Sequence, residues 1–268
     1  MNTTGNIKLI ECPRDAMQGW PHFISTDQKI RYINALLKVG FDTIDFGSFV
    51  SPKAIPQMAD TREVLQLLDL SQTSTRLLAI VANQRGASEA VAYDQISYLG
   101  FPFSVSETFQ QRNTNSSIAE SLTRVEEIQE LCVKTGKELV IYISMGFGNP
   151  YGDLYDEEQV FEWVNRLVGM DIGIISLADT VGLATPAQVY SMTSYLVELL
   201  PGTEIGVHLH STPQNWQEKL DAAVKAGCKR FDGALKGIGG CPMANDDLVG
   251  NMDSERMIAY FRERHLLP

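Results

Sequence analysis

The 268-residue sequence predicts an α/β fold: one (β/α)8 barrel of the TIM type, with a closing loop after its eighth strand. Three observations carry that reading. Short β-rich runs alternate with longer segments of helical period down the whole chain, which implies right-handed βαβ crossovers and a parallel sheet. Eight such units fit within the length, the count of a closed barrel. No linker, charge block or low-complexity segment interrupts the rhythm, so residues 1–268 read as a single domain.

The first strand is Ile7 to Cys12 (IKLIEC), and the turn after it is Pro13-Arg14-Asp15. An open doubly wound sheet would more often place a Gly-rich phosphate turn there. Thr26 to Val39 is the first long helix, opened by a Ser/Thr/Asp cap cluster and closed by Gly40. Strand Thr43 to Val50 leads to helix Thr61 to Leu68, and strand Arg76 to Ala82 to a helix over Ala87 to Asp94. Ile96 to Val105 is followed by the long helix Ser117 to Lys134, which completes four units at the midpoint. The second half repeats the pattern: Glu138 to Met145 with helix Asp156 to Gly169, and Ile172 to Ala178 with helix Pro186 to Leu199. Then come Glu204 to His210 with helix Pro213 to Ala226, and Arg230 to Leu235 with helix Ser254 to Arg264.

Composition excludes several classes of function. With 44% hydrophobic and 21% charged residues the chain is of ordinary soluble type. Against 33 Asp and Glu stand 22 scattered Lys and Arg, a net charge of −11. No phosphate-neutralising stripe for a nucleic acid is present. No apolar run approaches the ~20 residues a membrane span needs. Met1 to Asn6 leads straight into the first strand, without an Arg-rich presequence or a signal peptide, so a cytoplasmic location is expected. Cys12, Cys132, Cys228 and Cys241 are far apart and form no C-x-x-C pair, so reduced thiols are expected.

In such barrels the chemistry sits at the C-terminal ends of the strands. Strand one ends in Arg14-Asp15, with Gln18 close behind. Strand seven ends in Val207-His208-Leu209-His210, whose spacing of two puts both imidazoles on one face and the apolar pair on the other. Two imidazoles and a carboxylate form the ligand set of a catalytic divalent cation with open positions. Strand eight runs into Lys236-Gly-Ile-Gly-Gly-Cys241-Pro242, a Gly-dense segment suited to closing over a ligand. Cys241 on that loop is either an acid-base thiol or a small residue in a tight turn. Asp179-Thr180 ends strand six, where a carboxylate orients a ligand or caps the next helix. Asp45 lies within strand two, facing inward or outward according to register.

Taken together, PRDAMQ, SFVSPKAIPQM (Ser48 to Met58), SETFQQRNTNSS (Ser106 to Ser117), LADTVGLATP (Leu177 to Pro186), GVHLHST and GIGGCP resemble the 3-hydroxy-3-methylglutaryl-CoA lyase family, from Ile7 to about Ile258. PRD and H-x-H alone are shared with isopropylmalate, homocitrate and citramalate synthases and with metal-dependent ketoacid aldolases. SFVSPK with GIGGCP and a following Gly-Asn points to the lyase. The resemblance implies that Asp15, His208, His210 and Asn251 hold Mg²⁺ or Mn²⁺, that Arg14 stabilises a thioester enolate, and that Cys241 serves proton transfer. Gln18, Ser48, Asp45, Asp179 and Thr180 would line the substrate site, and either Asp15 or His208 would take the hydroxyl proton. The implied activity is retro-Claisen cleavage of 3-hydroxy-3-methylglutaryl-CoA, or a close analogue, to acetyl-CoA and acetoacetate, by an enzyme commonly dimeric among its relatives.

Three departures stand out. Ala16-Met17-Gln18 replaces the family's Gly-Leu-Gln, and Asp45 stands where the family has an active-site glutamate, shortening its reach by about 1.5 Å. The spacing from Cys241 to Asn251 is one residue longer than in the family. Because coenzyme A is a polyanion, basic residues are expected at the mouth, with Lys53, Arg112 and Lys236 as candidates. Two alternatives compete with the lyase: a 2-oxoacid synthase or aldolase of the same superfamily, and a catalytically silent barrel that binds an acyl-CoA or a metal.

Overall fold

The structure is a computed structural model that describes residues 7–240 and 249–267. Eight parallel strands close into a barrel in chain order: β1 (Lys8–Glu11), β2 (Thr43–Ser48), β3 (Arg76–Ile80), β4 (Ile96–Ser104), β5 (Glu138–Ser144), β6 (Ile174–Ala178), β7 (Glu204–His208) and β8 (Arg230–Gly233). Closure is made by β1 pairing with β8, Lys8 opposite Arg230 through Glu11 opposite Gly233. The helices are α1 (Pro13–Gln18), α2 (Thr26–Leu36), α3 (Thr61–Gln66), α4 (Gln84–Ala90), α5 (Glu107–Thr114), α6 (Ile118–Thr135), α7 (Glu157–Val168), α8 (Pro186–Leu199), α9 (Trp216–Lys225) and α10 (Ser254–Glu263). None of the described helices is long and apolar enough to cross a membrane.

Local chemistry explains where the helices begin. Ser25, Ser117 and Thr185 each close a capping box with Gln28, Glu120 and Gln188, satisfying amides that have no partner inside the helix. Pro186 adds a preset first-turn backbone to α8. Two helices differ from the sequence expectation. α1 occupies the segment read as a strand-end turn, and α5 the polar motif after β4. The strands also stop one to two residues short of several predicted ends, His210 lying beyond β7.

The period of two along each strand sorts the barrel's residues. Phe46, Phe101, Ile141, Leu177, Val207 and Phe231 face the helices in the large outer core. Leu78, Tyr98, Val140, Tyr142 and Ile174 form a separate cluster inside the barrel. The inward set also carries charge: Arg230 is fully buried, bonds Glu204 through Nη1 at 3.2 Å and stacks near Tyr98. Gly206 makes room for it, since a Cβ there would lie 2.9 Å from the Arg230 Cδ.

On the outward face of β1, buried Glu11 accepts hydrogen bonds from the Leu235 amide and the Ser254 hydroxyl, tying the first strand to the segment after the last. Burial pushes its pKa from 4.5 to about 7, against the pull of those two hydrogen bonds. A raised folded-state pKa means the folded chain binds the proton more tightly. The associated stability is full below about pH 4.5 and is lost as pH rises through 7. Glu11→Gln keeps an acceptor for Leu235 and gains a donor for Ser254. The variant should match the wild type at pH 4 and exceed it by about 3 kcal/mol at pH 8. Urea unfolding at the two pH values measures this, and an equal difference at both would remove the burial argument.

Candidate active site

The strand ends deliver a constellation of polar side chains to one mouth of the barrel. Pro13 starts α1 immediately after β1, and the short helix points Arg14, Asp15 and Gln18 toward the axis. Ala16 lies inside this helix, where alanine serves without glycine's freedom. Arg14 is forked onto buried Asp45, with Nε 3.0 Å and Nη2 2.5 Å from Oδ2, and its Nη1 reaches Asp15 Oδ1 at 3.0 Å. Asp15 also accepts from Gln18 at 2.8 Å and from the Asn251 amide at 2.7 Å.

His208 and His210 lie side by side, their ring centroids 5.3 Å apart. His210 stays there although β7 has ended, because the chain on either side of it pairs with a returning segment. Ser211 donates its amide to Gly250 O, and Met252 donates to Leu209 O. That same pairing brings Asn251 to Asp15. The longer spacing before Asn251 therefore does not displace it from the constellation. Gly239 makes the approach possible: its φ is +104°, and a Cβ there would lie 2.7 Å from Asn251 Nδ2 and 2.9 Å from the Asp15 carbonyl.

The charges are set by burial working against neighbours. Burial alone would raise Asp15, but Arg14, then His208 and His210, hold it below its ordinary value. Burial, helped by neighbouring His208, pushes His210 down to about 3, so it is a neutral imidazole. Burial also opposes charge on His208, yet its hydrogen bond to Asp232 (Nδ1 to Oδ2, 3.3 Å) and that residue's charge hold it above the ordinary value. Burial drives Asp45 up to about 6 against the opposing pull of Arg14.

The donor set suits a divalent cation. Asp15, His208 and His210 each offer a ligand atom, and these lie within 4.8 Å of one another. Ligands about 2.1 Å from a shared octahedral ion stand about 3 Å apart when adjacent and about 4.2 Å apart when opposite. Asn251 Oδ1 is buried beside them without a protein partner among the described residues, an amide oxygen of the kind such ions take.

A cavity of about 420 Å³ opens over this cluster, and Arg14, Asp15, Gln18, Ser48, Thr180, His208 and His210 reach its wall. Ser48 Oγ has no partner among the described residues, which leaves it to a ligand. Thr180 uses its hydroxyl to accept from the Met145 amide. Two expected wall residues lie behind the wall instead. Asp45 and Asp179 are each 1% exposed, and a carboxylate buried this deeply needs a partner for its charge. Asp45 takes Arg14, and Asp179 takes buried Lys219 at 2.7 Å and the Ala184 amide. Cys241 lies outside the described residues.

At the mouth, Arg112 reaches the cavity and stacks on Tyr151. Lys53 is exposed beside the cavity residues Ser51 and Ala54. Lys236 is held outward by Glu255 at 2.8 Å. Arg85 and Arg124, which the sequence reading missed, line a depression bordering the mouth, with Ser51 and Asn83 common to both. Tyr142, Asp232 and Lys219 were also missed.

Comparison with known proteins gives a consistent result. The HMGL-like family model matches residues 6–267. A hydroxymethylglutaryl-CoA lyase of Bacillus subtilis is 35% identical over 246 residues, 92% of this chain and 81% of the relative. An (R)-citramalyl-CoA lyase of Chloroflexus aurantiacus is 31% identical over 258 residues, covering 93% and 81%. Among solved structures, an HMG-CoA lyase from Acinetobacter baumannii in complex with coenzyme A and 3-methylmalate superposes with a TM-score of 0.91 at 31% identity, over 100% of this chain and 87% of that one.

Proposed function

The chain belongs to the HMGL-like family, and on that premise we propose that it cleaves 3-hydroxy-3-methylglutaryl-CoA, or a close analogue, to acetyl-CoA and acetoacetate, as a divalent-metal-dependent carbon–carbon lyase. The observation that carries this is the meeting of Arg14, Asp15, His208, His210 and Asn251 at one barrel mouth under a cavity. Asp15, His208, His210 and Asn251 would hold the divalent cation, Mg²⁺ or Mn²⁺, which would supply the Lewis acidity that lowers the pKa of the substrate hydroxyl.

The residues divide the remaining work. The tertiary hydroxyl must lose its proton, the bond between C2 and C3 must break, and the electron pair must settle on the thioester as an enolate. The hydroxyl proton passes to Asp15 or His208, both of which reach the cavity wall: Asp15 already accepts from Arg14, Gln18 and Asn251, and His208 holds Asp232 through Nδ1. Arg14 has five N–H groups, of which Nε, one on Nη1 and one on Nη2 are engaged by the two carboxylates. Two remain to meet the enolate oxygen, held rigid by the Asp45 fork. The enolate carbon then takes a proton, the role assigned to Cys241. Arg112, with Arg85 and Arg124, offers charge for the phosphates of coenzyme A. We place the enzyme in the cytoplasm as a homodimer, which sedimentation tests.

Incubation with Mg²⁺ and 3-hydroxy-3-methylglutaryl-CoA should release acetoacetate, and EDTA should abolish the release. The citramalyl-CoA lyase relative makes citramalyl-CoA the analogue to run beside it. Turnover of a 2-oxoacid with acetyl-CoA, and of neither thioester, would favour the synthase reading. Metal and acyl-CoA binding without any product would favour the silent barrel.

A further inference from the structure

Beneath the cavity, a third buried carboxylate differs from the other two. Asp45 and Asp179 each face a cation, but Asp232 on β8 has a histidine as its one hydrogen-bond partner among the described residues. The register of the barrel makes the pair: β7 and β8 place His208 directly opposite Asp232. The Asp232 side chain is 0% exposed, and its Oδ1 has no partner among the described residues. Arg230, two residues back on the same inward face, has its own bond to Glu204 and leaves Nε and Nη2 without partners rather than pairing with Asp232. Cys12 Sγ lies close enough to compete, but it points to the Ile10 carbonyl at 3.9 Å. The ring of His208 is thus gripped on two sides, by Asp232 at Nδ1 and by the edge of Tyr142, whose ring centroid is 5.8 Å away.

We propose that Asp232 is the positioning residue of the metal centre: by accepting the Nδ1 proton of His208 it fixes the tautomer and ring rotation that present the Nε2 lone pair to Asp15 and His210. The inference rests on the metal-dependent reading above and adds to it the group that orients one ligand. The His210 ring has no carboxylate hydrogen-bonded behind it among the described residues, so the two imidazoles are held differently. A carboxylate acceptor makes the ligating nitrogen the stronger donor, so His208 carries more of the metal affinity than its neighbour.

The test compares metal-stripped wild type with Asp232→Asn, titrated with Mn²⁺ while free Mn²⁺ is read by electron paramagnetic resonance. Outer-shell partners of ligating histidines are typically worth 10–100-fold in metal affinity, and a loss of that size is expected here. The melting temperature of the stripped protein should stay within a few degrees, and at saturating Mn²⁺ the KM for the thioester should stay within about twofold while kcat falls. A folded Asp232→Asn that binds Mn²⁺ within twofold of wild type would overturn the proposal. If the variant does not fold, ¹⁵N spectra of the histidine rings in stripped wild type at pH 8.5 decide instead. His208 should show its proton on Nδ1, and a proton on Nε2 would overturn the assignment. A wild type that binds no Mn²⁺ would remove the metal-dependent reading itself, an outcome separate from failure of the Asp232 role alone.

Discussion

Arg14→Lys should lower kcat by about 10²–10³-fold while changing the KM for the thioester by less than about threefold. Deleting one preorganised donor to a developing oxyanion costs roughly 3–4 kcal/mol. Lysine retains the charge but offers a flexible point donor in place of a planar fork. In the wild type, Asp45 grips Nε and Nη2 of Arg14, so the two remaining N–H groups are aimed before substrate arrives. Lysine cannot occupy both Asp45 and the enolate oxygen. The effect falls on kcat because the negative charge on that oxygen grows only as the carbon–carbon bond breaks. Steady-state kinetics of acetoacetate release at saturating Mg²⁺ checks this. A kcat within tenfold of wild type would mean that the enolate charge is held elsewhere.

The architecture was legible because periodicity is a local signal. Alternating strand and helix patterns survive in a single sequence, and all eight predicted strands overlap observed ones. His208 and His210 were legible for the same reason, since spacing of two needs no tertiary information. The partners of those residues were not. Asp232 sits in the run RFDGAL much as Asp45 sits in TIDFGS, and only the register between β7 and β8 places it at His208. α1 and α5 escaped because neither has an apolar stripe: α5 buries only Phe109 and Gln110. A usable signal existed there, since Ser106 caps α5 by accepting from the Phe109 amide. Lys219 carried a weaker one. It lies four residues before Ala223, on the apolar stripe of α9, where a lysine without a buried anion would not be tolerated.

That lysine yields the second large effect: Lys219→Met should destabilise the fold by about 3–5 kcal/mol, the cost of leaving a buried charge unpaired. Lys219 is 1% exposed and donates to Asp179 Oδ2 at 2.7 Å, to the His210 carbonyl at 2.8 Å and to the Gly182 carbonyl at 3.3 Å. Methionine fills nearly the same volume, so cavity formation adds little and the lost charge dominates. Adding Asp179→Asn to Lys219→Met should recover part of the loss by removing the stranded carboxylate, and the recovery measures the coupling. Two carbonyls would still lack their donor, so recovery should be incomplete. The His210 carbonyl is one of them, which predicts that the double variant, though folded, binds Mn²⁺ more weakly than wild type. Urea unfolding of the two single variants and the double variant provides the test. A loss below about 1 kcal/mol for Lys219→Met would show that the Lys219–Asp179 pair does not hold the fold together, and would detach His210 from the lysine beneath it.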